Sequence, residues 1–305
     1  MSQLFSTHEV TNQPPPFEGR NLFADDAPLR SAIARYAPQA ADALHALGTT
    51  FGSQEAFERG RLANEHPPRL KTHDRQGRRL DIVEFHPAYH QCMATSFAAG
   101  LHCSTWEHLA TPGAAPPPGA QAARAAGFYM AAQMESGHCC PVTMTHAAIS
   151  TLRLAPALAA EWMPRILSRP YDPSFRPAQE KTSVTFGMGM TEKQGGTDVR
   201  TNATTAEPIA PGAGGGTHRL IGHKWFMSAP MSDAFLVLAQ APGGLSCFLL
   251  PRFLPDGTVN AIHFQRLKDK LGNRSNASSE VEFHGAEARL IGAAGRRAPA
   301  TTETV

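Results

Sequence analysis

The sequence predicts an α+β fold, with helices first and strands after, on three observations. Apolar residues recur at helical spacing as far as about Arg169, and from about Thr182 they alternate with small or polar neighbours. Strand and helix patterns never interleave as βαβ units would. With 305 residues, 42% of them apolar and 18% charged, the chain is long enough for a sizeable core in one large or two ordinary domains. The expected division is an all-α domain over residues 1–180, a middle antiparallel β domain over 181–290 and a divergent tail over 291–305.

The helices announce themselves in order. Asp25 and Asp26 followed by Pro28 read as a helix start, because acid suits the positive end and proline the first turn. Leu44, Leu47 and Phe51 follow at spacings of three and four, with Gly48 and Gly52 punctuating the end. Ser53 is placed to cap a third helix carrying Phe57. Tyr89, Met93, Phe97 and Leu101 recur every four residues and mark a buried face. Residues Thr111 to Gly119 read as a loop; helix resumes through Phe128, Met130 and Met134, with Gly137 as its stop. Pro141 opens the next helix, and Leu158, Trp162 and Ile166 belong to the last.

Five strands follow the change of period. Val184, Phe186, Met188 and Met190 share one face of the first. Gly212 to Gly216 reads as a loop, with a strand leaving it over Leu220 to Phe226. Phe235 to Leu238 and Ser246 to Leu250 are short apolar runs between turn residues, and Glu280 to Phe283 alternates.

Charge and composition exclude several functions. Lys plus Arg number 28 against 26 for Asp plus Glu, a net +2 that offers no whole-chain attraction for nucleic acid or anionic lipid. No apolar run is long enough to span a bilayer, and the Met1–Phe5 start lacks the features of a secretory signal. Cys92, Cys103, Cys139, Cys140 and Cys247 are odd in number and form no Cys-x-x-Cys pair, so reduced thiols in the cytoplasm are expected.

Three segments carry candidate chemistry. Gly187-Met-Gly-Met-Thr-Glu-Lys-Gln-Gly-Gly-Thr-Asp198 ends a strand with a hydroxyl, a carboxylate and paired glycines. It reads either as a hairpin turn or as a loop whose amides approach an anionic or carbonyl group. It lacks the third glycine and the following helix of a dinucleotide fingerprint. Gly222-His-Lys-Trp-Phe-Met-Ser228 is either an ordinary strand end or an apolar wall with one hydroxyl for a planar heterocycle. Lys270-Leu-Gly-Asn-Arg-Ser-Asn-Ala-Ser278 reads as a solvated turn or a phosphate contact. His86 and His90, at i and i+4, have no third partner spaced to complete a metal site, so no metal is expected. Cys139 and Cys140 read as packed thiols, and Lys71, Arg75, Arg78 and Arg79 as a solvated basic turn.

In this order on a helix-then-strand chain, the segments resemble the acyl-CoA dehydrogenase family, most closely its alkylation-response (AidB-type) branch. Asn12-Gln-Pro, Gly60-Arg-Leu-Ala-Asn64, Gly77-Arg-Arg-Leu-Asp81, Phe85-His-Pro-Ala88, Pro141-Val-Thr-Met-Thr145 and Gly244-Leu-Ser-Cys-Phe248 look like that branch, so the likeness covers nearly all of residues 10–290. The resemblance implies a flavoprotein with FAD held by the N-terminal helical, middle β and C-terminal helical domains. It would lay Met188, Met190, Thr191, Gly196 and Thr197 along the flavin and its ribityl-pyrophosphate chain, and Phe226, Met227 and Ser228 around the ring. Phe226 stands where the wider family has tryptophan, and Lys193-Gln194 where it has Pro-Gly; both departures fit the branch.

The family reaction removes an α proton from an acyl-CoA thioester while a β hydride passes to the flavin. Its base is a glutamate of the C-terminal domain, which by the same resemblance lies beyond the chain end, so no catalytic residue is assigned here. Glu192 has a family counterpart that is not the base, and a structural role is expected for it. After Gly292 the family pattern fades, so the chain is expected to be a truncated product. The family is commonly tetrameric, and DNA binding in this branch belongs to a C-terminal domain expected to be absent. The alternatives are a non-enzymatic DNA-protection flavoprotein and an inactive truncated product.

Overall fold

In the computed structural model, residues 7–210 and 216–294 are described. Of the expected elements, most of the Gly212–Gly216 loop and of the tail lies outside them. Seven helices form the first part: α1 Ala27–Tyr36, α2 Ala41–Gly52, α3 Gln54–Glu65, α4 Pro87–Ala98, α5 Ala120–Met134, α6 Cys139–Leu152 and α7 Pro156–Ile166. Two of the caps are those the sequence signals. The Asp26 carboxylate accepts from Leu29 N–H at 2.8 Å, and Ser53 Oγ from Ala56 N–H at 3.2 Å. α6 begins at Cys139, two residues before the expected Pro141, which sits in its first turn. Tyr89, Met93, Phe97 and Leu101 are all buried, in one core with Phe51, Met130 and Val142.

The helical reading up to Arg169 needs one correction. Strands β1 Arg69–His73 and β2 Arg79–Glu84 form an antiparallel hairpin between α3 and α4. Their exposed positions are polar or charged, and the most buried one is the charged Asp81 among half-buried Leu80, Ile82 and Val83, so no helical or strand period stands out. Docking holds the hairpin: Leu70 and Val83 pack against the β core. Asp81 Oδ1 accepts Phe264 N–H at 3.1 Å, while Arg79 donates to Phe264 C=O at 2.9 Å.

Seven more strands build the second part: β3 Phe186–Thr191, β4 Thr205–Ala210, β5 Thr217–Ser228, β6 Ala234–Ala241, β7 Gly244–Pro251, β8 Ile262–Leu267 and β9 Ser278–Leu290. β4 and β8 add to the expected five. Their order is β3-β5-β4-β6-β7-β9-β8, and the further pairings β3–β6 and β5–β9 bring the sheet back on itself. The ring β3–β6–β7–β9–β5 is therefore a closed barrel, mostly antiparallel, with β3 and β6 parallel.

Alternation explains what the barrel buries. On β6, Phe235, Val237 and Ala239 face the interior with Met227, Phe248, Phe264 and Phe283. Leu236 and Leu238 face outward, with Phe186 and Met188, onto Ile149, Leu152, Leu158, Trp162 and Ile166 of α6 and α7. Buried on both faces, β6 reads as a continuous apolar run. The helices thus sit on the barrel wall that contains β3. No helix among the described residues is long and apolar enough to cross a membrane.

Candidate functional site

The candidate residues of β3 and β5 come together because the two strands pair antiparallel. Met188 lies opposite Ser228, Gly189 opposite Met227 and, past a bulge, Thr191 opposite Phe226. Close approach is required at Gly187, where an added Cβ would strike the Ser228 carbonyl and lie 2.7 Å from the Phe235 ring. Met188 is 8% exposed, Met190, Thr191 and Ser228 are half-buried, and Phe226 is 39% exposed. The result is a partly open apolar strip with a hydroxyl at each end.

Met227 differs from its neighbours. Its side chain points into the barrel interior and is fully buried, where it packs over Gly189 of β3 on the side away from Met188 and Ser228. Gly196 and Thr197 are exposed in the turn after β3, closed by a bridge between Glu192 and Gly195. An added Cβ on Gly196 would lie 2.8 Å from Thr191 Oγ1, which sets this glycine directly beside the Thr191 hydroxyl.

Glu192 is wholly structural in its contacts. Its carboxylate accepts from Lys224 Nζ at 2.7 Å, Thr204 Oγ1 at 2.6 Å, Ala203 N–H at 2.6 Å, Thr204 N–H at 3.1 Å and Gln194 Nε2 at 2.8 Å. Burial pushes its pKa up, but the bonds from Lys224, Thr204 and Ala203 outweigh this and hold it down at about 2. Lys224, buried beside it, is drawn down to about 8 by desolvation against the pull of Glu192.

A second buried network joins helices and barrel. Glu135 accepts from Gly137 N–H, His138 N–H, His138 Nδ1 and Ser275 Oγ at 2.6 to 3.0 Å, and His138 Nε2 meets Ser96 Oγ at 2.7 Å. Desolvation opposes ionisation of Glu135, yet the His138 and Ser275 contacts hold it at about 2. The solvated-turn reading of Lys270–Ser278 is corrected here. Its first part is exposed, but Ser275, Asn276, Ala277 and Ser278 are buried where the segment runs beneath the α6 N-terminus. Ser275 and Asn276 belong to the third candidate segment, but their burial is not foreseeable from the sequence, since nothing local distinguishes a buried polar turn from an exposed one.

The remaining candidates fall elsewhere. His86 caps α4, its Nδ1 accepting from Ala88 N–H at 3.2 Å, and His90 pairs with the Tyr171 hydroxyl at 3.1 Å. Lys71 pairs with Glu84 and Arg79 with Asp81, leaving Arg75 and Arg78 exposed in the hairpin turn. Cys92, Cys103, Cys139 and Cys247 are buried and Cys140 is half-buried, all as free thiols. A cavity of about 420 Å³ lined by Phe85, His90, Tyr171, Lys181, Asp233 and Arg252 includes none of the residues of the β3–β5 strip.

Helices packed on a closed β domain, with a Gly-Met-Gly-Met-Thr strand paired to a Trp-Phe-Met-Ser strand, define the acyl-CoA dehydrogenase class. The model of the acyl-CoA dehydrogenase middle domain matches residues 187–286, and that of the adaptive response protein AidB N-terminal domain matches residues 12–173. The chain belongs to this family, in its AidB branch.

Over 293 residues it is 50% identical to AidB of Escherichia coli, a candidate acyl-CoA dehydrogenase by name, covering 95% of this chain and 52% of that protein. Caenorhabditis elegans ACDH-11, solved in complex with C11-CoA, matches with a TM-score of 0.82 at 27% identity, covering 99% of this chain and 51% of that one. An acyl-CoA dehydrogenase from Bacillus anthracis, complexed with FAD, shares the fold at a TM-score of 0.54 and 16% identity, over 72% of this chain and 34% of that one. The chain spans about half the length of the curated relatives it matches.

Proposed function

We propose that this protein holds FAD against the β3–β5 strip and serves the α,β-dehydrogenation of an acyl-CoA thioester, as an alkylation-response flavoprotein. The observation that carries the reading is the strand pairing that sets Met188 against Ser228 and Thr191 against Phe226, with Gly196 at the Thr191 hydroxyl. These residues fit the group. Met188, Met190 and Phe226 offer apolar surface to a ring, and Thr191 and Ser228 offer hydroxyls to its nitrogen and oxygen atoms. Gly195 faces open space, and a side chain on Gly196 would fill the ground in front of Thr191.

When bound, FAD supplies the two-electron acceptor for the hydride leaving the acyl chain. The chain's own residues bind and orient. Thr191 and Ser228 fix the position of the ring between them, and Met188, Met190 and Phe226 keep water from the side they cover. Glu192 stays an anion committed to five hydrogen bonds, so it is not the base. Proton abstraction falls to the glutamate that the family carries in its C-terminal helical domain. The nematode relative's C11-CoA complex supports an acyl-CoA substrate. Cytoplasmic residence and a homo-oligomer, tetrameric by family, belong to the same proposal, as does DNA contact through a C-terminal domain.

Titration of the purified protein with FAD, followed by flavin fluorescence quenching, tests it. Saturable binding is expected, with Thr191→Val and Ser228→Ala each weakening it about fivefold, as loss of one neutral hydrogen bond would. Anaerobic addition of an acyl-CoA then separates two roles. Bleaching of the bound flavin marks the enzyme, and bound flavin that never bleaches marks a non-enzymatic DNA-protection protein when the protein assayed carries the family's C-terminal glutamate, on which proton abstraction depends. Absence of FAD binding would sink both.

A further inference from the structure

β7 ends at Pro251, and Arg252 follows it into the wall of the cavity of about 420 Å³ that lies between the β1–β2 hairpin, the α7–β3 connection and the start of β6. Among the described residues, three lysine and arginine side chains line this space. Lys181 pairs with Asp233 at 2.7 Å, and Arg176 with Asp172 at 3.0 Å. Arg252 has no such carboxylate. Its Nη2 donates to the Asp81 carbonyl, while the Asp81 carboxylate is taken by Arg79 and by Phe264 N–H. The Arg252 side chain is more than nine-tenths buried, and its Nη1 has no hydrogen-bond partner. The Ser232 hydroxyl, fully buried and lining the same cavity, has none either. Buried cations are normally paired and buried hydroxyls bonded, so an unpaired guanidinium and an unused hydroxyl on one cavity mark a place for an acceptor from outside the chain.

The rest of the wall narrows the class of ligand. Asp81, Glu84, Asp172 and Asp233 line the cavity, but each is already matched, by Arg79, Lys71, Arg176 and Lys181. Burial lowers the pKa of His90, which leaves it neutral at pH 7. The surplus is therefore the single charge of Arg252, and a dianion such as phosphate would meet net repulsion from four carboxylates. Phe85, Phe175 and Phe253 give the space aromatic surfaces for an apolar body. Phe175 covers one face of the guanidinium, its ring centre 5.2 Å away, and is 42% exposed, so a rotamer change there opens Arg252 to the cavity without moving backbone. We propose that this cavity is a second ligand site that takes a small organic monocarboxylate, with its carboxylate on Arg252 and Ser232 and its apolar body against Phe85, Phe175 and Phe253. The site is independent of the FAD reading, since none of the β3–β5 strip residues lines it. Its volume is that of an ordinary small-molecule pocket.

The test is titration of the whole purified protein with phenylacetate, phenylacetamide and acetate, read by saturation-transfer NMR. Phenylacetate should saturate with a Kd of about 1 mM or below. Phenylacetamide, which lacks the charge, and acetate, which lacks the ring, should each bind at least about tenfold more weakly. Arg252→Gln keeps a donor for the Asp81 carbonyl while removing the charge, and should bring phenylacetate to within about twofold of the amide. Ile82→Trp fills the cavity from a half-buried position on β2 and should weaken both aromatic probes at least about tenfold. Cooperative urea unfolding establishes that each variant is folded. Equal affinity for acid and amide in the parent, or no saturation by phenylacetate up to about 20 mM, would overturn the proposal. Parental binding in folded Ile82→Trp would do the same, and that variant decides the matter if Arg252→Gln does not fold. Displacement of phenylacetate by FAD would put the acid on the β3–β5 strip instead, and would also overturn it.

Discussion

Lys224 Nζ lies 2.7 Å from Glu192 Oε1, and neither side chain keeps any exposed surface. The pair ties the middle of β5 to the turn that follows β3, and so sets the distance between the two strands that carry Thr191 and Phe226. Desolvation of two charges nearly cancels their attraction, so the pair serves position more than net stability.

Removing one partner should therefore cost far more than the pair contributes. Lys224→Met leaves the Glu192 carboxylate buried without its cation and should lower stability by about 3–5 kcal/mol. Glu192→Gln keeps an oxygen for the Thr204 and Ala203 donors and should cost less. Urea unfolding checks the order; an unchanged midpoint in Lys224→Met would refute it.

Acid should unfold the protein through Glu192 and Glu135. Both carboxyls are held at about 2, below their ordinary 4.5. With folded values below unfolded ones, the stability they add is complete above about 4.5 and is lost as pH falls toward 2. Each contributes roughly 3 kcal/mol at most over that window. A Tm that stays level from pH 5 to about pH 2 would contradict this assignment.

Ser275 holds the barrel to the helical part through Glu135. Ser275→Ala removes a 2.6 Å donor from a buried carboxylate and should cost about 1–3 kcal/mol. Amide exchange should quicken at Gly137 and His138, whose N–H groups share that carboxylate. Exchange unchanged at both amides would show the network to be dispensable.

Gly187 sets how closely β3 approaches β5. Gly187→Ala drives a methyl against the Ser228 carbonyl and the Phe235 ring, and should cost about 1–3 kcal/mol through overpacking. FAD binding should fall with it, because the shift moves Ser228 relative to Met188. A variant of parental stability with parental flavin affinity would show that the strands have slack here.

What was legible beforehand was local. The caps at Asp26 and Ser53, the every-four-residue face of Tyr89 to Leu101 and the two-residue alternation from Val184 depend on neighbours within a turn or a strand. The same holds for the candidate strip, whose motif residues lie within two short segments. Other features arise from partners distant in the chain. The β1–β2 hairpin exists because Arg79 and Asp81 dock on Phe264, and the barrel closes because β5 pairs with both β3 and β9. Ser275 and Asn276 are buried because that same β9 register carries their segment beneath α6. Met227 points inward because closure, not alternation, decides which side of a strand is the interior. Short-range propensity and period reside in the chain itself, whereas burial and register are set by long-range pairing, and only the tertiary structure decided those.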